Sequence, residues 1–205
     1  MRKRSILLSI FAAGVAGAAV FGWVTIRRGF SARAEPSSIE TLVATAARKL
    51  AVPSSYRQLH NPLPASPENV QAGMEHFADH CATCHANDGS GDTMFGKAMY
   101  PKPPNMRLDE THAMTDGELY YTIENGVRLS GMPSFGEEHT LGGDSDTWKL
   151  VLFIRRLPNL TADELKQMEQ LNPKTEEELQ EEKEEEEFLK GGDTPGKSAG
   201  ETHHH

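Results

Sequence analysis

The stretch Cys81-Ala82-Thr83-Cys84-His85, "CATCH", decides the fold of this chain. It contains the only two cysteines in 205 residues, and a histidine directly follows the second cysteine. Residues three apart on a helix share a face, so both thiols are expected to point the same way. The imidazole then lies one position further along the same turn. The spacing therefore indicates one site that uses both sulfurs and the histidine together.

Several chemistries use a Cys-x-x-Cys pair, and the surrounding sequence separates them. A thioredoxin-like redox pair needs a strand–helix context, which is missing here. A zinc site needs four ligands, usually from two separated pairs, and this chain has no second cysteine pair. A plain disulfide between the two cysteines remains an alternative. Covalent haem attachment uses Cys-x-x-Cys-His, so the motif predicts one haem c bound through Cys81 and Cys84, with His85 as an iron ligand.

A second iron ligand is expected from a methionine, because methionine opposite histidine raises the potential of an electron-carrying haem. Met74 lies on the predicted attachment helix and cannot fold round to the other haem face. Met94 and Met99 would need tight loops to do so. Met132 stands in "NGVRLSGMPSFG", an irregular loop in which Gly131 allows a close backbone approach and a proline stiffens the turn. Met132 is therefore the predicted sixth ligand.

Three predicted helices surround this site. "SPENVQAGMEHFADHCATCH" begins with Ser66 as N-cap and a proline at the first helical position. "TDGELYYTIENGV" is expected to start at Thr115 and to end before a glycine, and "GDSDTWKLVLFIRRLPNL" to be capped by Ser145 or Asp146. No strand-like alternation occurs. The fold class is therefore all-α, a small domain with a thin core to which a haem would add buried area.

The N-terminal segment Ser5–Ile26 has 22 residues without a charge. As a helix it would be roughly 33 Å long, enough to cross a hydrocarbon core of about 30 Å. Basic residues at positions 2–4 favour a cytoplasmic N-terminus, and so a single-pass anchor with the domain on the opposite, exported side of the membrane. The alternative is a cleaved signal peptide, since Ala32-Arg33-Ala34 has the form of a cleavage site.

The net charge changes sign along the chain. Residues 1–34 carry a net charge of +6, residues 35–173 of −8 and residues 174–205 of −7. The acidic body argues against nucleic acid as a partner, since phosphate binding needs clustered Lys and Arg. The acidic tail is expected to be a solvated helix or disordered, or else a docking arm for a basic or metal-carrying partner. The predicted regions are 1–34 basic stub and transmembrane anchor (5–26), 35–66 tether, 67–160 haem domain, and 161–205 acidic, largely flexible tail.

Four segments of the chain resemble a class I monohaem cytochrome c of the bacterial, membrane-anchored type. They are "CATCH", "PKPPNM", "ELYYTIENGVRLSGMPSFG" and "DTWKLVLFIRRL", and the resemblance covers roughly residues 67–158. It implies that Gly73 and Phe77 pack against the last helix near Trp148. It also implies that a proline carbonyl accepts the Nδ1 proton of His85, the candidates being Pro101, Pro103 and Pro104.

The resemblance implies a function in electron transfer. The chain is expected to be a membrane-tethered c-type cytochrome that carries single electrons by Fe(III)/Fe(II) cycling of a His85/Met132-ligated haem, and not an enzyme. The expected partners are membrane redox proteins, such as a quinol-oxidising complex or a terminal reductase or oxidase. Two alternatives stay open: the electron-entry haem subunit of a dehydrogenase or reductase complex, and a haem sensor with an open sixth position.

Overall fold

The fold was analysed in a computed structural model that describes residues 2–29, 31–136, 141–174 and 176–189. Within these ranges the regular structure is entirely helical, which confirms the all-α prediction. In chain order the helices are α1 (Arg2–Arg28), α2 (Ser38–Ala51), α3 (Ser54–Arg57), α4 (Pro67–His76), α5 (Ala82–His85), α6 (Met94–Ala98), α7 (Asp109–His112), α8 (Asp116–Asn125), α9 (Ser145–Arg156), α10 (Ala162–Leu171) and α11 (Glu176–Leu189).

Helix starts follow the capping residues of the sequence. The Ser66 hydroxyl accepts a hydrogen bond from the Asn69 amide at the start of α4. Thr115 begins α8, as predicted. It forms a capping box in which its hydroxyl accepts from the Glu118 amide and the Glu118 carboxylate accepts from the Thr115 amide. The predicted cap of α9, Ser145 or Asp146, was one or two positions out, because Asp144 is the N-cap and its carboxylate accepts from two backbone amides. A carboxylate at that position also suits the positive end of the helix dipole.

The core of the domain forms where α4 crosses α9. A Cβ atom placed on Gly73 would lie 2.1 Å from the carbonyl oxygen of Lys149, so the two backbones touch at this position. One turn later Phe77 packs against Phe153, with 5.2 Å between ring centroids. Both contacts confirm the expected packing of the first helix on the last. The fully buried large side chains include Phe77, Tyr120, Trp148, Leu150, Val151, Phe153 and Leu157.

Gly73→Ala is expected to destabilise the domain, because the added methyl would occupy the position of the Lys149 carbonyl. Overpacking a core usually costs about 1–3 kcal/mol. For a domain of this size that lowers Tm by roughly 5–20 °C. Thermal unfolding followed by circular dichroism measures the shift, with Glu75→Ala on the exposed side of the same helix as control. Equal melting of both variants would show that the helices do not touch at Gly73.

The segment predicted as a tether, residues 35–66, contains two helices and packs in part on the domain. Ser37 begins α2 with a capping box. The Tyr56 ring in α3 lies 4.9 Å from that of Tyr121 in α8, edge to face. The Asn61 side chain donates a 2.9 Å hydrogen bond to the Trp148 carbonyl. The chain from α3 onward is therefore part of the packed body, which the proline-punctuated sequence did not indicate.

The packed body also continues beyond residue 160, the predicted domain boundary. Helix α10 begins with a capping box at Thr161 and buries Met168 completely. Its Glu164 carboxylate pairs with the Arg156 guanidinium at 3.3 Å. Helix α11 follows and contains nine glutamates. The remainder of the predicted flexible tail, residues 190–205 with its terminal histidines, lies outside the described residues.

Helix α1 is the one helix of the described ranges that is long and apolar enough to cross a membrane, by length and composition. The candidate span is Ile6–Arg27, with a mean hydropathy of 2.0 and none of it buried. The Arg27 guanidinium lies 4.7 Å from the centre of the Trp23 ring, a cation–π contact at the end of the span. This helix is compatible with either an anchor or a signal sequence.

Candidate haem-binding site

The two cysteines and the histidine of the pentapeptide motif lie on one continuous helical segment. Helix α4 passes into a π-helical turn, Phe77–Cys81, and then into α5, which ends at His85. A π turn inserts an extra residue into a helix and occurs mostly at functional sites. The segment ends because Ala86 has a φ of 61°, a left-handed conformation that stops a helix.

The two thiols are free and partly buried. Burial, followed by the neighbouring Cys84, raises the pKa of Cys81 to about 12. The Cys81 thiol is therefore protonated at neutral pH, whereas thioredoxin-type exchange needs a thiolate. No group of three or more His, Cys, Asp or Glu side chains within the described ranges is placed to hold a metal ion.

His85 lies partly buried at the end of the motif. Its pKa is lowered by desolvation, which keeps the imidazole neutral at pH 7 and leaves one ring nitrogen with a lone pair. The Nδ1 atom is buried without a hydrogen-bond partner, so the bond from His85 to a proline carbonyl, expected from the resemblance, is absent from this structure. Because buried polar atoms are normally paired, this unpartnered nitrogen is an exception. A neutral imidazole beside two free thiols is the donor set that covalent haem attachment requires.

The loop after the motif folds back over it. The Gly91 amide donates to the His85 carbonyl at 2.7 Å, and the Thr93 hydroxyl donates to the Cys84 carbonyl at 3.3 Å. Gly91 has a φ of +75°, and a Cβ there would lie 2.9 Å from the Pro103 carbonyl oxygen. The proline-rich segment is thus held close to this loop. A glycine is required at position 91 both for its conformation and for this approach.

The Met132 segment forms a compact loop after α8. The Val127 amide donates to the Met132 carbonyl at 3.2 Å, and the Met132 amide donates to the Ser130 hydroxyl at 3.2 Å. Gly126 has a φ of +66°, and a Cβ there would lie 2.7 Å from the Met132 carbonyl oxygen. The Met132 side chain is half-buried and packs against the same core as Cys81.

The structure brings Cys81, Cys84 and His85 together on one segment and places Met132 on a separate loop at the same core. It also places Met99 beside the Met132 loop, since a Cβ on Gly131 would meet the Met99 sulfur at 3.0 Å. Sequence reasoning had set Met99 aside. No local pattern marks it, because its position results from the folding of two loops against each other.

The comparison with protein families agrees with this geometry. Residues 68–154 match the family model described as cytochrome C oxidase, cbb3-type, subunit III. The matched span contains the pentapeptide motif, the Met132 loop and most of α9. The comparison with curated proteins gave no match. Over residues 68–154, which are less than half of the chain, the match supports a class I monohaem c-type cytochrome domain with a covalently bound haem c and a role in electron transfer.

Proposed function

We propose that the chain is a membrane-tethered carrier of single electrons. In this proposal Cys81 and Cys84 hold the haem through thioethers, and His85 and Met132 are the two iron ligands. The observation that carries the proposal is the partly buried His85, its pKa lowered by desolvation, which follows two free thiols on one helical segment. A methionine loop that reaches the same core supports the sixth ligand.

Bound haem c would supply the Fe(III)/Fe(II) couple, and the protein would supply the geometry around it. The hydrogen bonds from the Thr93 hydroxyl to the Cys84 carbonyl and from the Gly91 amide to the His85 carbonyl hold the attachment segment in place. The hydrogen bond within the Ser130–Met132 turn holds the Met132 loop in place. Ligands that need not move on electron transfer keep reorganisation small, and the thioether ligand raises the potential. We propose that the protein transforms no substrate and is not an enzyme.

The proposed location is the bacterial inner membrane, with the haem domain in the periplasm. The uncharged run of α1 and the basic residues at positions 2–4 support a single-pass anchor with the N-terminus in the cytoplasm. N-terminal sequencing of the mature protein tests this point. A first residue at or after position 35 would mean that α1 is a cleaved signal peptide.

A second candidate function is an electron-entry subunit of a membrane complex. The match to a family described as an oxidase subunit III favours it. Its partner would then be a catalytic membrane subunit in fixed ratio, in place of a freely diffusing quinol-oxidising complex or terminal reductase. Gentle detergent purification distinguishes the two, because a subunit co-purifies with a stoichiometric catalytic chain and a carrier does not.

The proposed function is tested by a redox-titrated visible spectrum of the membrane fraction. One reversible one-electron transition with a low-spin c-type spectrum is expected, retained after a high-pH wash that removes peripheral proteins. A high-spin ferric spectrum would instead indicate an open sixth position, and so the haem-sensor alternative. Absence of a haem c spectrum would contradict the proposal as a whole.

A further inference from the structure

Helix α2 has an apolar face that the rest of the described chain leaves uncovered. The helix has no buried residue, and its four large apolar side chains are 61–80% exposed. Their spacing of three, four and seven positions places them on one side of a helix. The residues of this apolar face are Ile39, Leu42, Val43, Ala46 and Leu50.

The ends of α2 are tied to the haem domain. The Tyr100 hydroxyl donates to the Glu40 carboxylate, and Lys102 pairs with Glu35 just before the helix. At the other end the Arg57 guanidinium donates to the Lys49 carbonyl at 2.7 Å. The same guanidinium also donates to the Leu50 carbonyl at 3.4 Å. These polar contacts fix α2 on the domain, and none of them uses a side chain of the apolar face.

The position of α2 in the chain indicates what covers this face. Only nine residues, 29–37, separate α1 from α2. Fully extended, they span at most about 30 Å, so α2 stays near the surface of any membrane that α1 crosses. An amphipathic helix in that position suits the boundary between lipid headgroups and acyl chains.

The charge distribution points the same way. Residues 27–51 carry five basic and two acidic side chains, a net charge of +3. Residues 52–173, which form the haem domain, carry a net charge of −8. Anionic lipid headgroups attract the first region and repel the second. Within residues 27–173, the segment next to the membrane is thus the part whose net charge is attracted by an anionic lipid surface.

We propose that α2 lies in the membrane interface with its apolar face among the lipids, so that the haem domain is held in one orientation. This inference rests on the membrane anchorage proposed above. Tyr100 precedes the proline-rich segment and Lys102 lies within it, next to Pro103, whose carbonyl approaches Gly91 in the loop that follows His85. The lipid contact is therefore connected to the haem site through two loops, and it sets which side of the domain faces a membrane partner.

Site-specific photo-crosslinking of the full chain in native membranes tests this inference. The photoreactive residue p-benzoylphenylalanine replaces Val43 on the apolar face or Thr41, which lies on the opposite side of the same helix. Mass spectrometry then measures the phospholipid adduct on each. Val43 is expected to give at least about tenfold more adduct than Thr41, because an interfacial helix buries one face only. An unchanged haem spectrum checks that each variant is folded.

A third position separates this inference from the anchorage on which it depends. The same photoreactive residue at Ile10, within α1, gives phospholipid adducts if α1 crosses the bilayer. Adducts at Ile10 with none at Val43 would overturn the interfacial placement of α2 alone. Adducts at neither position would overturn the anchorage itself. A polypeptide adduct at Val43, to a second copy or to another subunit, would show that protein covers the face and would also overturn the inference.

Discussion

Replacing Cys81 and Cys84 together by alanine is expected to abolish covalently bound haem. Haem staining of a denaturing gel should fall to background, since these are the only cysteines in the chain. The single variant Cys84→Ala leaves one thioether at most, so its staining should fall sharply without vanishing. The protein level of the double variant is expected to fall as well, because a small helical domain with a thin core loses the buried area that a haem would add.

The matched control is Thr83→Ala, which changes a residue between the two cysteines and removes neither sulfur. It should stain as strongly as the unmodified chain. Full staining of the double variant would contradict attachment through these thiols. If acid–acetone extraction removed the pigment from the unmodified chain, that result would contradict covalent attachment altogether.

Met132→Ala is expected to keep the haem covalently bound and to change its electronic state. Loss of a thioether ligand should remove the absorption band of the methionine–Fe(III) bond. It should also lower the midpoint potential of the haem by on the order of 100 mV, within the roughly 0.8 V range that axial ligands set. Visible spectra of the oxidised protein and a redox titration measure both effects. The backbone bonds of the loop do not involve the Met132 side chain, so the fold around it should persist.

Two other methionines serve as controls for this substitution. Met94 is 77% exposed, and Met94→Ala should leave spectrum and potential unchanged. Met99 lies against Gly131, next to the proposed ligand, and provides the stricter comparison. A spectrum that changes in Met99→Ala and not in Met132→Ala would show that the ligand was assigned to the wrong methionine.

The chemistry of the site could be predicted from sequence because it is local. The spacing of Cys81, Cys84 and His85 places three donors within about one helical turn, whatever surrounds them. The caps at Ser66 and Thr115 are local too, since each depends on a side chain and a backbone amide three residues away. For the same reason a cap could be misplaced by one or two residues, as happened at Asp144, where several neighbouring polar side chains compete.

The extent of the domain could not be predicted in this way. Residues 54–66 resemble a linker because they are rich in Pro and polar residues, and only the docking of Tyr56 and Asn61 on distant helices shows that they are packed. Met168 lies in a segment dominated by charge and is nevertheless fully buried. One buried side chain in a polar helix gives too weak a periodic signal to be read before its partner surface is known.

The amino-acid sequence by itself determined the helical class, the haem motif and the apolar N-terminal helix, because each depends on residues that are neighbours along the chain. Tertiary structure alone decided where the packed body begins and ends, and that Met99 lies beside the Met132 loop. It also decided that the His85 Nδ1 atom is buried without a partner and that one face of α2 stays uncovered. The physical reason is that burial depends on which distant segments pack together, so neither segment alone carries a sequence pattern that predicts the contact.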